Sequence, residues 1–189
     1  MKLEKIAVAT SNKGKLREIR DIFTGVELVS MQELGFSGEI EETGKNFRAN
    51  AQIKAEVIAK RFNMPALADD SGLCVDGLGG APGIYSARFS GEGEAANRKL
   101  LLKRLEYVDD RTAHFECAVC LCLPDGHTYF GEGKTCGRIL HEETGTGGFG
   151  YDSLFFSDDL NKSFGLATEE EKNSVSHRFR ALEDLKSKL

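Results

Sequence analysis

The sequence predicts an α/β fold with a mixed sheet. Three observations predict it. Short apolar strand patterns alternate with amphipathic helix patterns at both ends of the chain. An alternating hairpin pattern interrupts them in the second half. The 21 glycines cluster between periodic segments, where they read as turns. The 189 residues show no repeat and no linker, so one structural unit is expected.

The elements follow in order. Residues 5–10, with Ile6, Ala7, Val8 and Ala9, read as a first buried strand. After polar residues 11–14, Leu16, Ile19, Ile22 and Phe23 mark one helix face, and residues 26–30 a second strand. A polar loop at 35–46 leads to a helix at 46–62 with Phe47, Ala51, Ala55, Ile58 and Phe62 on one stripe; Pro65 follows its end. Ala66, Leu67 and Ala68 read as a short strand that stops at Asp69-Asp70-Ser71-Gly72. Residues 79–93 read as a loop, and 94–105 as a helix with Ala96, Leu100, Leu101 and Leu105 inward. Residues 113–123 alternate, with Phe115, Cys117, Val119, Leu121 and Leu123 facing one way. Pro124-Asp125-Gly126 turns the chain, and 127–137 returns antiparallel. A Gly-rich segment at 144–150 precedes a short aromatic run at 151–156, and 157–167 read as a loop. Thr168 and Glu171 form a capping box before a last helix carrying Val175, Phe179, Leu182, Leu185 and Leu189.

Composition excludes several functions. The formal charge of -5 speaks against duplex nucleic acid, which needs a positive field. No 18-residue apolar run is present, so no membrane span is expected. The early charged residues do not suit a signal peptide, and five cysteines without a paired framework suit a reducing cytoplasm.

Three motifs fail on context. Gly145-Thr146-Gly147-Gly148-Phe149-Gly150 fits GxGxxG, but Glu142-Glu143 precedes it instead of a strand. Gly133-Lys134-Thr135 lacks the upstream glycine of a P-loop. Cys117 and Cys120 lie three apart on a strand, so they point to opposite faces and do not chelate one metal.

A different constellation carries chemistry. Asp69 and Asp70 follow a short strand, where ligands gather in α/β sheets. Two adjacent carboxylates repel, and a divalent cation such as magnesium would offset that; a solvated acidic turn is the other reading. Glu41-Glu42-Thr43-Gly44 offers a further carboxylate or ordinary helix-start acidity. Ser11, Asn12, Lys13 and Lys15 sit at a strand-to-helix turn suited to an anion. Lys172, His177 and Arg178 could grip phosphate or a base oxygen. Phe149, among glycines, would pack a flat base or a core neighbour. Together these residues point to nucleotide hydrolysis.

At these residues the chain resembles the inosine/xanthosine triphosphate pyrophosphatase family, also called Ham1-like or RdgB-like. The matching segments are 9–15, 41–44, 68–73, 79–88, 145–152 and 176–178, in order along nearly the whole chain. The resemblance implies an elongated mixed sheet flanked by helices, with two lobes and an active-site cleft between them. It implies magnesium-dependent conversion of ITP, dITP and XTP to the monophosphate and pyrophosphate, commonly by a homodimer. By position, Asp70 resembles the catalytic base, and Glu42, Asp69 and Asp70 the metal site. Asn12, Lys13, Lys15 and Lys172 would hold the phosphates, Phe149 would stack on the base, and Asp152, His177 and Arg178 would line the base pocket. Ser11, Ser71, Gly150 and Tyr151 would also bind the substrate. Two positions depart from the family pattern: Ala49 stands where a glutamate is usual, and Ser153 where a proline is usual. A Maf-like pyrophosphatase of different base preference and a non-catalytic nucleotide-binding protein are the rival readings.

Overall fold

The structure, a computed structural model, describes residues 3–189. The strands are β1 (Lys5–Val8), β2 (Glu27–Ser30), β3 (Ala66–Val75), β4 (Thr112–Cys122), β5 (Thr128–Ile139), β6 (Phe155–Ser157) and β7 (Lys162–Ser163). The helices are α1 (Lys13–Ile22), α2 (Phe47–Phe62), α3 (Glu94–Arg104), α4 (Glu169–Val175) and α5 (His177–Lys186). The strands form one sheet in the order β2-β1-β3-β4-β5-β6-β7. β1 pairs parallel with β2 and β3, whereas β6 pairs antiparallel with β5 and β7. The expected mixed α/β fold is therefore present. Among the described residues no helix is long and apolar enough to cross a membrane.

The chain divides into two compact units. The first comprises residues up to Asp70, Cys117–Gly133 and Arg178–Leu189; the second comprises Ser71–Glu116 and Lys134–His177. In the first unit, strand alternation sorts side chains onto two faces. Ile6, Val8, Leu67, Cys117, Val119 and Leu121 pack against Ile19 and Ile22 of α1 and Ala181, Leu182 and Leu185 of α5. Ala7, Ala9, Ala66, Ala68, Cys120 and Cys122 pack against Ala51, Ala55, Ile58 and Ala59 of α2. The opposed alanines leave little side chain between α2 and the sheet, so α2 lies close to it. Cys117 and Cys120 occupy opposite faces, as their spacing requires. In the second unit, Leu73, Val75, Leu101, Leu105, Phe115, Leu154, Phe155 and Phe164 form the core.

Several elements differ from expectation. β3 does not stop at the acidic pair but runs on to Val75, because Leu73 and Val75 continue the buried alternation. The 79–93 segment contains a 3-10 turn at Gly83–Arg88, pinned where the Ser86 hydroxyl donates to the Gly83 carbonyl and accepts from Leu73 N. Within 151–156, only Phe155 and Phe156 are strand, preceded by a 3-10 turn at Asp152–Leu154. The 157–167 segment holds β7 and a 3-10 turn, with Phe164 fully buried. The last helix is two helices. Ser176 between them is extended, and it separates Val175, packed on the second unit's core, from Leu182 and Leu185 in the first. The Thr168–Glu171 capping box is present.

Candidate active site

The expected site residues fall into two groups, one in each unit. In the first unit, the acidic pair lies inside β3. Successive strand residues point to opposite faces, so the two carboxylates part company. Asp69 follows Leu67 toward α1 and α5, and Asp70 follows Ala68 toward α2. The two carboxylates therefore face different partners.

Asp69 is 1% exposed. Its Oδ2 accepts from Nε and Nη2 of Arg178 at 3.2 and 2.9 Å and lies 3.1 Å from Nζ of Lys15. Burial alone would raise the Asp69 pKa, but Lys15 and Arg178 hold it well below the usual carboxylate range. Arg178 is equally buried, and its Nη1 meets Glu18 of α1. Burial opposes its charge, while Asp69 and Glu18 push its pKa upward. The guanidinium thus pairs with two carboxylates, at a position where a contact with the base was expected.

Lys15 comes from the first turn of α1. Asn12 caps that helix, its side-chain oxygen accepting from Lys15 N at 3.0 Å. The Asn12 oxygen therefore orders the turn that delivers Lys15. Ser11 and Lys13 are exposed beside it.

Asp70 meets residues of α2 that sequence reasoning missed. Nδ2 of Asn50 donates to Asp70 Oδ2 at 3.0 Å, and Lys54 Nζ lies 3.6 Å from Asp70 Oδ1. The amide of Asn50 is oriented because its Oδ1 accepts from Gly44 N at 2.8 Å. A Cβ at Gly44 would lie 2.5 Å from that Oδ1, so only glycine permits the approach. Lys54 also reaches Glu42 Oε1 at 2.5 Å. Burial raises the Asp70 pKa, and Lys54 and Lys15 offset this only in part. Burial would lower the Lys54 pKa, but Asp70, Asp69 and Glu42 together raise it. A signal for these residues was available: Asn50 and Lys54 stand four apart in α2, polar positions beside the alanine stripe. Glu18, next to Ile19 and four before Ile22, offered the same signal in α1.

The donor chemistry bears on a metal. Glu42 and Asp70 direct carboxylate oxygens at one cation position, now held by Lys54. An oxygen-only set of this kind fits a hard divalent cation. Asp69, the third expected ligand, directs its Oδ2 at Lys15 and Arg178.

In the second unit, Asp152 organises the Gly-rich loop. Its Oδ2 accepts from Phe149 N at 2.9 Å and from Lys172 Nζ at 2.6 Å. Gly148, at φ +72°, lets the loop close over that carboxylate; a Cβ there would lie 2.0 Å from Oδ2. The Lys172 ammonium sits 4.5 Å from the Phe149 ring centroid. Phe149 and Gly150 line a cavity of about 280 Å³ together with Glu94, Arg98, Glu143 and Ser153. Tyr151 is instead a core residue, 5% exposed, its hydroxyl donating to the Ser86 carbonyl at 2.8 Å. His177 stacks on Phe115 at 4.9 Å and is buried. Ser71 is half-buried in β3. The Ser153 hydroxyl donates to Glu143 at 3.0 Å, a contact the usual proline could not make.

The Ham1 family model matches residues 6–188. A dITP/XTP pyrophosphatase of Bacillus licheniformis is 45% identical, covering 99% of this chain and 98% of that protein. One from Geobacter sulfurreducens is 49% identical, covering 99% and 97%. The solved structure of the Staphylococcus aureus Ham1 protein is 38% identical, with a TM-score of 0.87 over 97% of each chain. A match over nearly its full length, in sequence and in fold, places the chain in the Ham1 family.

Proposed function

We propose that the chain hydrolyses non-standard purine nucleoside triphosphates (dITP, ITP and XTP) to the monophosphate and pyrophosphate. The observation that carries this reading is identity of 45–49% to dITP/XTP pyrophosphatases over 99% of the chain. Family membership implies a metal-dependent mechanism, and we assign magnesium to it.

Asp70 is the proposed catalytic base. A raised pKa makes its carboxylate a better proton acceptor than an ordinary aspartate. It takes the proton of the attacking water as the new oxygen–phosphorus bond forms at the α-phosphorus. The α–β bridging bond breaks, and pyrophosphate leaves. Glu42 and Asp70 would hold the cation, which supplies charge neutralisation for pyrophosphate and acidifies water. Lys15 and Lys54 bind the triphosphate, and Asn50 fixes the Asp70 carboxylate. Asp69 and Arg178 are positioning residues: they hold Lys15. Phe149 stacks on the base, and Lys172, Asp152 and His177 shape the pocket around it. A donor there is satisfied by the O6 of hypoxanthine or xanthine and is left unpaired by the amino group of adenine.

A homodimer and a cytoplasmic setting belong to the same proposal. The formal charge of -5 supports the small-molecule substrate over nucleic acid. Asp70→Asn tests the centre of it: turnover of ITP should fall by about 10³-fold or more, with an unchanged thermal melting curve. Near-normal hydrolysis by that variant would remove Asp70 from the chemistry.

A further inference from the structure

Cys74, His114 and Glu116 have chemistry that the proposed reaction leaves unused. Leu73 and Val75 of β3, and Ala113 and Phe115 of β4, point into the second unit's core. Alternation therefore turns Cys74, His114 and Glu116 to the opposite face of these neighbouring strands. One sulfur, one nitrogen and one oxygen from the three lie within 4.8 Å of one another. His114 Nε2 and Glu116 Oε2 are 3.7 Å apart. Tetrahedral bonds of about 2.0–2.3 Å set donors roughly 3.3–3.8 Å apart. The trio thus needs about 1 Å of closure, which side-chain rotation supplies at partly exposed positions.

β5 offers a fourth donor. Leu123 N donates to His127 O, and Ile139 N donates to Arg111 O, which fixes an antiparallel register. In that register His114 faces Cys136 and Glu116 faces Lys134, each pair on one side of the sheet. Lys134 Nζ lies 2.9 Å from Glu116 Oε2, as the register demands, and Cys136 is exposed.

We propose that Cys74, His114 and Glu116, with Cys136 as fourth donor, form a site for a thiophilic divalent transition metal of the zinc class. Thiolate and imidazole suit such an ion, whereas magnesium takes oxygen. This site differs in chemistry from the all-oxygen set of Glu42 and Asp70. Lys134 is the present counter-charge, and its half-exposed side chain can swing into solvent when the metal enters. Burial pushes the Cys74 thiol up to about 11, with Glu116 adding to the effect. Binding therefore releases a proton and weakens as pH falls. The bound ion ties β3, β4 and β5 together and stabilises the second unit.

The test is titration of the whole chain, freed of metals, with Co²⁺ and then Zn²⁺. The expected result is one Co²⁺ per chain, a near-ultraviolet thiolate-to-cobalt charge-transfer band, and bleaching of that band by Zn²⁺. Cys74→Ser and His114→Ala should each weaken Co²⁺ binding by about tenfold or more, no less than loss of an outer-shell partner costs a metal site. Magnesium-supported hydrolysis of ITP should persist in both. Absence of the band, or a band unchanged in Cys74→Ser, would overturn the site. Should Cys74→Ser fail to fold, Glu116→Gln at its partly exposed position decides: weakened binding supports the site, and unchanged affinity overturns it.

Discussion

Asp69 and Asp70 are neighbours with opposite tasks, and one backbone step separates them. Asp69 is compensated by Lys15 and Arg178, and its pKa is depressed; Asp70 is buried with less compensation, and its pKa is raised. Their pH signatures therefore differ in sign. A group depressed in the folded state contributes stability above its unfolded pKa and loses that contribution as pH falls through the acid range. Asp69→Asn should destabilise the fold by about 3–5 kcal/mol, the cost of breaking a buried pair. Measured by urea unfolding, that deficit should stay flat at neutral pH and shrink below about pH 4, near the unfolded carboxylate's pKa. A deficit that grew on acidification would contradict the assignment. Asp70 shifts the other way, so the acid limb of kcat should lie above the ordinary aspartate range. The sequence showed two adjacent carboxylates and several candidate cations elsewhere in the chain. It did not show which face each would take, because β3 was read as ending at the pair.

At the scale of elements, α2 is the part that arms Asp70. Its alanine face lies close to the sheet, and its polar positions Asn50 and Lys54 then reach the carboxylate. Gly44 locks this arrangement from the loop side. Gly44→Ala should force the loop off Asn50 and release the amide that orients Asp70. We expect a loss of about 1–3 kcal/mol in stability, as for overpacking, and roughly a tenfold fall in kcat. Steady-state kinetics with ITP and a thermal melt check both; wild-type values for both would show that the close approach is dispensable. The stripe of α2, the apolar face of α1 and the Thr168–Glu171 cap were legible from periodicity, because local pattern determines them. The break at Ser176 was not. The apolar spacing of Val175, Phe179, Leu182 and Leu185 continues smoothly, while their burial partners belong to two different units. Phe164 was missed for a similar reason: its burial comes from Phe115 and Phe155, which are distant in sequence.

For the whole molecule, the ordered segments that resembled one family proved sufficient to name the reaction class, since chain-long similarity integrates many weak local signals. Individual roles needed coordinates. Arg178 pairs with Asp69 and Glu18, Tyr151 donates to a core carbonyl, and Lys54 stands beside Asp70 and Glu42, none of which local pattern shows. Ala49 stands where the resemblance leads one to expect a glutamate, so the proposed metal site rests on Glu42 and Asp70. On the proposed function the molecule is a magnesium-dependent pyrophosphohydrolase selective for deaminated purines. Pyrophosphate release measured across ITP, XTP, dITP, GTP, ATP and dTTP, with and without Mg²⁺, tests it most directly. Rapid release is expected from ITP, XTP and dITP only with Mg²⁺, with rates at least about tenfold lower for GTP, ATP and dTTP. Equal rates across the six nucleotides, preference for dTTP, or binding of ITP without release would contradict it.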